Sequence, residues 1–291
     1  MREFVIERRR RLIGTSIMFM LSLTAVYLHS YIFQPEDGLR AVSLLGIFML
    51  AACCEYMDAS LGMGFGTSLT PLLLLVGFQP ADVIPSILAS QLVTGGFATY
   101  MHHKDGNITF SSDKRLMYLV AGLVVLSFAG ALSAVLFSFK LSTVVWKYMI
   151  IAIICSMGLL ILFYRSSDRG LKPFRMLVIG LIASFNKGMS GGGYGPLMTA
   201  GQVTSGISSR NAVAITTFTE FFTSGVAFFA FVAGGAKLNY SLMLPLVFGA
   251  VCAVPFATLT VKNVKEDKLK KMIGGLTLIL GLLIILKTIF R

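Results

Sequence analysis

"GFGTSLT" (Gly64–Thr70) and "GYGPLMT" (Gly193–Thr199) stand 129 positions apart and share their first, third and last residues. The same offset sets Gly77 against Gly206, Asp82 against Asn211, Gln91 against Glu220, Thr94 against Thr223 and Gly96 against Gly225. One further position of offset brings "NITF" (Asn107–Phe110) onto "KLNY" (Lys237–Tyr240). Self-similarity at a fixed period marks a repeated structural unit, and here one gapped register covers most of both halves. The chain reads as a tail and anchor segment over 1–34, then one unit over 41–164 and a second over 174–290.

The units share one order of parts. The first runs through an apolar segment (41–61), a glycine-rich break (62–66), a short apolar segment (67–78) and three longer ones (82–101, 116–138 and 145–164). The second runs through 174–187, 188–195, 196–206, 209–234, 239–260 and 271–290 in the same way. A helix needs about 20 apolar residues to cross a hydrocarbon core of about 30 Å. The segment after each break is too short for that, so each break is expected at the tip of a re-entrant or broken-helix hairpin.

Composition places the parts in a lipid bilayer. Of 291 residues 56% are hydrophobic and 13% charged, about half the charge of a soluble domain. Mean hydropathy is +0.81. Apolar runs recur at Leu12–Phe33, Leu116–Phe137, Val145–Tyr164, Ala212–Ala233 and Met272–Phe290. The first is longer than the apolar core of a signal peptide and reads as a retained anchor. The fold class is therefore an all-α polytopic membrane protein. The net charge of +12 does not indicate a nucleic-acid partner, because the basic residues sit at segment ends, in "RRRRL", "YRSSDRGLKPFR" and "VKNVKEDKLKK". That is the cytoplasmic bias of Lys and Arg in membrane proteins. It assigns the N-terminus and the loops at 102–115, 165–175 and 261–271 to the cytoplasm of a multi-pass cell-membrane protein, with Arg291 outside. Three full crossings per unit then make the two halves inverted repeats. Interrupted, glycine-rich segments at matching places in inverted halves point to the binding site of a secondary transporter.

Non-helical backbone at membrane depth survives only against protein or a watery cavity. The exposed N–H groups of the two breaks, and the half-helix N-termini that follow, suit an anion. The candidate substrate-binding residues are Gly62, Gly64, Gly66, Thr67, Ser68, Asn186, Lys187, Ser190, Gly191, Gly192 and Gly193. Lys187 either gives the site a positive charge or snorkels to the interface. Asp58, its register mate, is either its counter-ion across the axis or a proton-binding group. Gln91 and Glu220, with Thr94 and Thr223 one turn further on the same faces, are candidate coupling or cavity-lining residues. Glu220 either carries a coupling proton or makes an interhelical hydrogen bond. Isolated glycines such as Gly122 and Gly281 read as close packing between helices. Arg210 and Asp82 read as interface anchors.

Other chemistries fit poorly. "GMSGG" (Gly188–Gly192) matches a nucleophile-elbow pattern. However, all three histidines (His29, His102, His103) precede Ser190, and the first unit has no serine at the equivalent place. No G-x-x-x-x-G-K-[ST] is present, which removes an ATP-driven pump. Cys53, Cys54, Cys155 and Cys252 lie in apolar segments without metal spacing, and His102–Lys104 reads as a solvated helix end. No enzyme, cofactor or metal is expected.

The stretches "SLGMGFGTSLTPLLLLVGFQPADVIP" (Ser60–Pro85), "QLVTGGFATYMHHKDGNITF" (Gln91–Phe110), "NKGMSGGGYGP" (Asn186–Pro196) and "RNAVAITTFTE" (Arg210–Glu220) resemble the sulfite exporter TauE/SafE family, also described as the toluene sulfonate uptake permease family. The resemblance spans residues 41–290. It implies two halves, each with a glycine-rich, proline-terminated loop. It also implies transport of small sulfur-containing anions (sulfite, thiosulfate or sulfonates) with a coupling ion, H+ or Na+. Two features depart from the family pattern: "GMGFG" replaces an unbroken glycine run, and the 12–33 segment is additional. An anion channel, or a membrane scaffold without transport, is the alternative from another class.

Overall fold

The computed structural model describes residues 41–107, 114–163, 173–205 and 207–260, and the isolated positions 278, 279, 282 and 286. The anchor at 12–33, the 165–172 and 261–270 loop residues, Gly281 and Arg291 lie outside the described residues, as does nearly all of the 271–290 span. The described residues form nine helices and no strand. In chain order they are α1 (Ala41–Leu61), α2 (Phe65–Val76), α3 (Pro80–Lys104), α4 (Lys114–Ser138), α5 (Thr143–Phe163), α6 (Pro173–Ser190), α7 (Tyr194–Thr204), α8 (Ser209–Ala233) and α9 (Tyr240–Thr260). Five of them, α1, α4, α5, α8 and α9, are long and apolar enough to cross a membrane. Large apolar side chains such as Phe128, Leu132 and Leu136 of α4 stay exposed. A bilayer covers such a surface without cost, because lipid tails are as apolar as the side chains.

The two breaks stop their helices in the same way. Gly62 takes φ +70° and donates its N–H to the Asp58 carbonyl at 2.6 Å. Gly191, 129 positions on, takes φ +71° and donates to the Lys187 carbonyl at 2.8 Å. Gly64 and Gly193, the next register pair, are also at positive φ, where an L side chain is strained. The helices that follow, α2 with 12 residues and α7 with 11, are each about 18 Å long or less. In α7, Pro196 falls in the first turn, where a missing N–H leaves no bond unmade.

Some expected boundaries move. The second break is shorter than 188–195, because α6 continues through Ser190. Gly188 does not end the helix. A Cβ there would meet Ala131 and Ala134 of α4, so this glycine serves close packing instead. Similarly, α2 begins at Phe65, which moves Phe65 and Gly66 from the expected break into its first turn, with Thr67 and Ser68 following.

Packing repeats across the halves. Helix α1 lies along α9 and α4 along α6, while α3 packs on α8. Glycine makes each approach possible. Gly249 of α9 sits on the Phe48 backbone of α1, and Gly130 of α4 sits on the Leu181 carbonyl and Ser184 of α6. Gly122 of α4 likewise faces Leu177. Between α3 and α8, Gly95 and Gly96 receive Phe221, and Gly225 receives Leu92. Small residues at helix interfaces let backbones approach where no hydrophobic effect drives association.

Candidate functional site

The breaks meet inside the protein. A Cβ on Gly66 would collide with the Gly191 carbonyl, one on Gly192 with the Gly66–Thr67 backbone, and one on Gly195 with Gly62 and Met63. Two hydroxyls tie the crossing. Thr70 donates to the Ser190 carbonyl at 2.9 Å, and its register mate Thr199 donates to the Gly62 carbonyl at 2.9 Å. Each bond satisfies a carbonyl that the end of a helix leaves unpaired. Trp146 of α5 does the same for Met189, donating its indole N–H at 2.8 Å. Much of the glycine run that reads in sequence as an open cradle is therefore spent on backbone-to-backbone contact. Thr70 and Thr199 were missed as functional positions, although they are the shared last residues of the two matching stretches.

Beside this crossing runs a chain of buried polar groups. Phe65, the first residue of α2, donates its backbone N–H to Asp58 Oδ1 at 3.3 Å. The Gln91 amide nitrogen donates to Asp58 Oδ2 at 3.2 Å and to Glu220 Oε1 at 3.3 Å. The ammonium of Lys187 donates to the same Glu220 oxygen at 2.6 Å. Asp58 and Gln91 are 33 positions apart, as are Lys187 and Glu220. Each half thus joins the last turn of its first helix to its third helix, and the Gln91–Glu220 bond joins the halves. The direct counter-ion of Lys187 is Glu220 of its own half, not Asp58 across the axis.

Lys187 is completely buried, which excludes snorkelling in this arrangement. It lies in the last turn of α6, where a cation is favoured by the helix dipole. Asp58 occupies the opposite position, accepting from the first N–H of α2. Among the described residues the Lys187 ammonium makes one hydrogen bond, so two of its three donors have no protein acceptor. The Thr67 and Ser68 hydroxyls are also buried without a partner, and the N-terminus of α7 has no side-chain cap.

The remaining candidates fall around this core. Ser190 Oγ donates to the Asn186 carbonyl at 2.8 Å and stands 3.3 Å from the Gly192 N–H, and Asn186 flanks Gly193. Thr94 bonds back to the Ser90 carbonyl at 3.0 Å. The Thr223 hydroxyl lies 2.7 Å from that of Ser127 on α4, so it pins α8 to α4. Glu55, buried one turn before Asp58, was missed altogether. The available signal was an acid inside the apolar stretch "LAACCEYMD" (Leu50–Asp58). His102 is not solvated as its position at a helix end suggested. It is fully buried against Asn107 at 3.1 Å, and Asn107 in turn donates to the Thr258 carbonyl. Among the described residues no three His, Cys, Asp or Glu side chains converge as a metal site.

A model of the family "Sulfite exporter TauE/SafE" matches residues 47–284. The chain belongs to the TauE/SafE family. This is a family of membrane transporters, and its five apolar helices make the chain a multi-pass member. It is 28% identical over 239 residues to "Probable membrane transporter protein YtnM" of Bacillus subtilis (strain 168), covering 78% of this chain and 77% of that one. No solved structure matches it. The TauE/SafE match takes in both breaks and the whole Asp58–Gln91–Glu220–Lys187 chain.

Proposed function

We propose that the protein is a secondary transporter that carries small sulfur-containing anions, of the sulfite, thiosulfate or sulfonate type, across the cell membrane. Transport proceeds by alternating access between two inverted halves that meet at the glycine breaks. The observation that carries this reading is Lys187: a fully buried cation with two donors that meet no acceptor among the described residues. Burying a charge inside a membrane protein is costly, and such residues mark substrate or ion pathways. Glu220 pairs with it directly through one donor, and the spare donors fit the oxygens of a mobile anion. The hydroxyls of Thr67 and Ser68, without a partner among the described residues, add neutral donors of the kind a sulfur oxyanion accepts.

The matched glycine conformations, the reciprocal Thr70 and Thr199 bonds and the exchange of helix neighbours support the inverted-repeat reading. Under it, a cysteine placed at Arg291 reacts only from outside the cell, and labelling only from the cytoplasm would contradict the inversion. The functional test is uptake of a panel of radiolabelled anions into proteoliposomes. Saturable uptake of sulfur oxyanions, competed by one another and not by chloride, is expected. Voltage-driven flux without saturation would point to a channel, and no flux to a scaffold.

A further inference from the structure

Glu55 stands outside the bonded chain. It is buried on α1, and its Oε2 has no hydrogen-bond partner among the described residues. The charged groups facing it are Asp58 on its own helix, Glu220 of α8 and Lys187 of α6, with the Thr94 hydroxyl of α3 beside it. Helices α2 and α9, which also pack on α1, bring no charged side chain. Cys54 is its titratable sequence neighbour, and Cys252 of α9 packs further along α1 against Leu44 and Phe48.

The cluster holds three carboxyls and one ammonium. With all of them ionised it would carry two net negative charges away from water, an arrangement proteins avoid by protonating a member. The donors show which member. Asp58 accepts from the Phe65 N–H and from Gln91, and Glu220 accepts from Lys187 and Gln91. Donors of this kind hold a carboxylate in its charged form. Among the described residues Glu55 Oε2 receives none, and the one donor within reach of Glu55 is the Thr94 hydroxyl, which also serves the Ser90 carbonyl.

We infer that Glu55 is the proton site of a proton–anion symport. This rests on the transport reading above and deepens it. An ionised Glu55 repels an anion approaching Lys187, and a protonated one does not. Proton and anion therefore strengthen each other's binding, and the coupling is reciprocal. On the loading side an O–H bond forms on Glu55 as an O–H bond of a hydronium ion breaks, leaving water. On the release side that bond breaks, and the proton returns to water as the anion leaves. A sodium ion fits less well, because the Gln91 amide places N–H groups, not oxygens, between Asp58 and Glu220.

The test uses the full chain in proteoliposomes with radiolabelled thiosulfate, an anion that does not itself titrate near neutral pH, and p-toluenesulfonate as a second probe. In the wild type, an acidic outside drives accumulation and protons enter with the anion. Glu55→Gln, an isostere of the protonated acid, keeps anion exchange at equal pH but loses accumulation and proton entry; Glu55→Asp restores part of both. The inference is overturned if Glu55→Gln accumulates anion like the wild type, or if it loses exchange as well. It is also overturned if a sodium gradient, not a pH gradient, drives wild-type accumulation. A wild type that moves neither anion under any gradient overturns the transport reading, and the Glu55 assignment with it.

Discussion

The first and second breaks share a backbone and differ in charge. Gly62, Gly64, Gly191 and Gly193 hold matching positive φ, and Thr70 and Thr199 return matching bonds. Yet the residue whose carbonyl receives the glycine N–H is Asp58 in one half and Lys187 in the other, and the third helix offers Gln91 in one and Glu220 in the other. The difference teaches that the scaffold is built for symmetry while the chemistry is not. At the first break a carboxylate of the protein already occupies the helix N-terminus. At the second, Lys187 has spare donors among the described residues and the α7 N-terminus has no side-chain cap, and there the anion is proposed to sit.

The largest way to break this asymmetry is Lys187→Ala. It strands Glu220 as a buried carboxylate, which costs about 3–5 kcal/mol when one partner of a buried pair is removed. Thermal unfolding in detergent should fall well below the wild type, and uptake should vanish. Adding Glu220→Gln should recover the stability and not the uptake. A double variant that transports like the wild type would show the lysine to be structural only.

Next in size are Gly66→Val and its register mate Gly195→Val, which test the symmetric part. Each forces a side chain into the backbone of the opposite break, and overpacking costs about 1–3 kcal/mol or more. Both should lower the melting temperature by similar amounts and abolish transport. A large effect from only one of them would mean that the crossing is not shared equally. The smallest expected effects come from Thr70→Val and Thr199→Val. Each removes one cross-break hydrogen bond, worth about 0.5–1.5 kcal/mol. Thr199 also contacts the Thr216 hydroxyl at 3.1 Å, so its loss should be slightly the greater in a melting comparison.

The register made much of this legible. It located the breaks, the short helices after them and the buried polar positions Gln91 and Glu220, though not that these two bond to each other, because glycines and polar groups in apolar spans leave strong marks. It misjudged Gly188, since a packing glycine and a helix-ending glycine look alike until a neighbour such as Ala131 is seen. It also matched Lys187 to Asp58, because a register pairs equivalent places, whereas bonds form between residues brought together in space. Glu55 escaped for a related reason: its register mate is Ser184, an uncharged residue, so nothing in the repeat drew attention to it.

The central claim is that the buried lysine at the second break holds the transported anion. Equilibrium binding of radiolabelled sulfite to purified Glu220→Gln and to Lys187→Ala/Glu220→Gln tests it most directly, because neither variant leaves an unpaired buried carboxylate at position 220. A charge-assisted hydrogen bond contributes about 1.5–3 kcal/mol, so the double variant should bind about ten- to a hundred-fold more weakly. Equal affinity in the two proteins would contradict the claim.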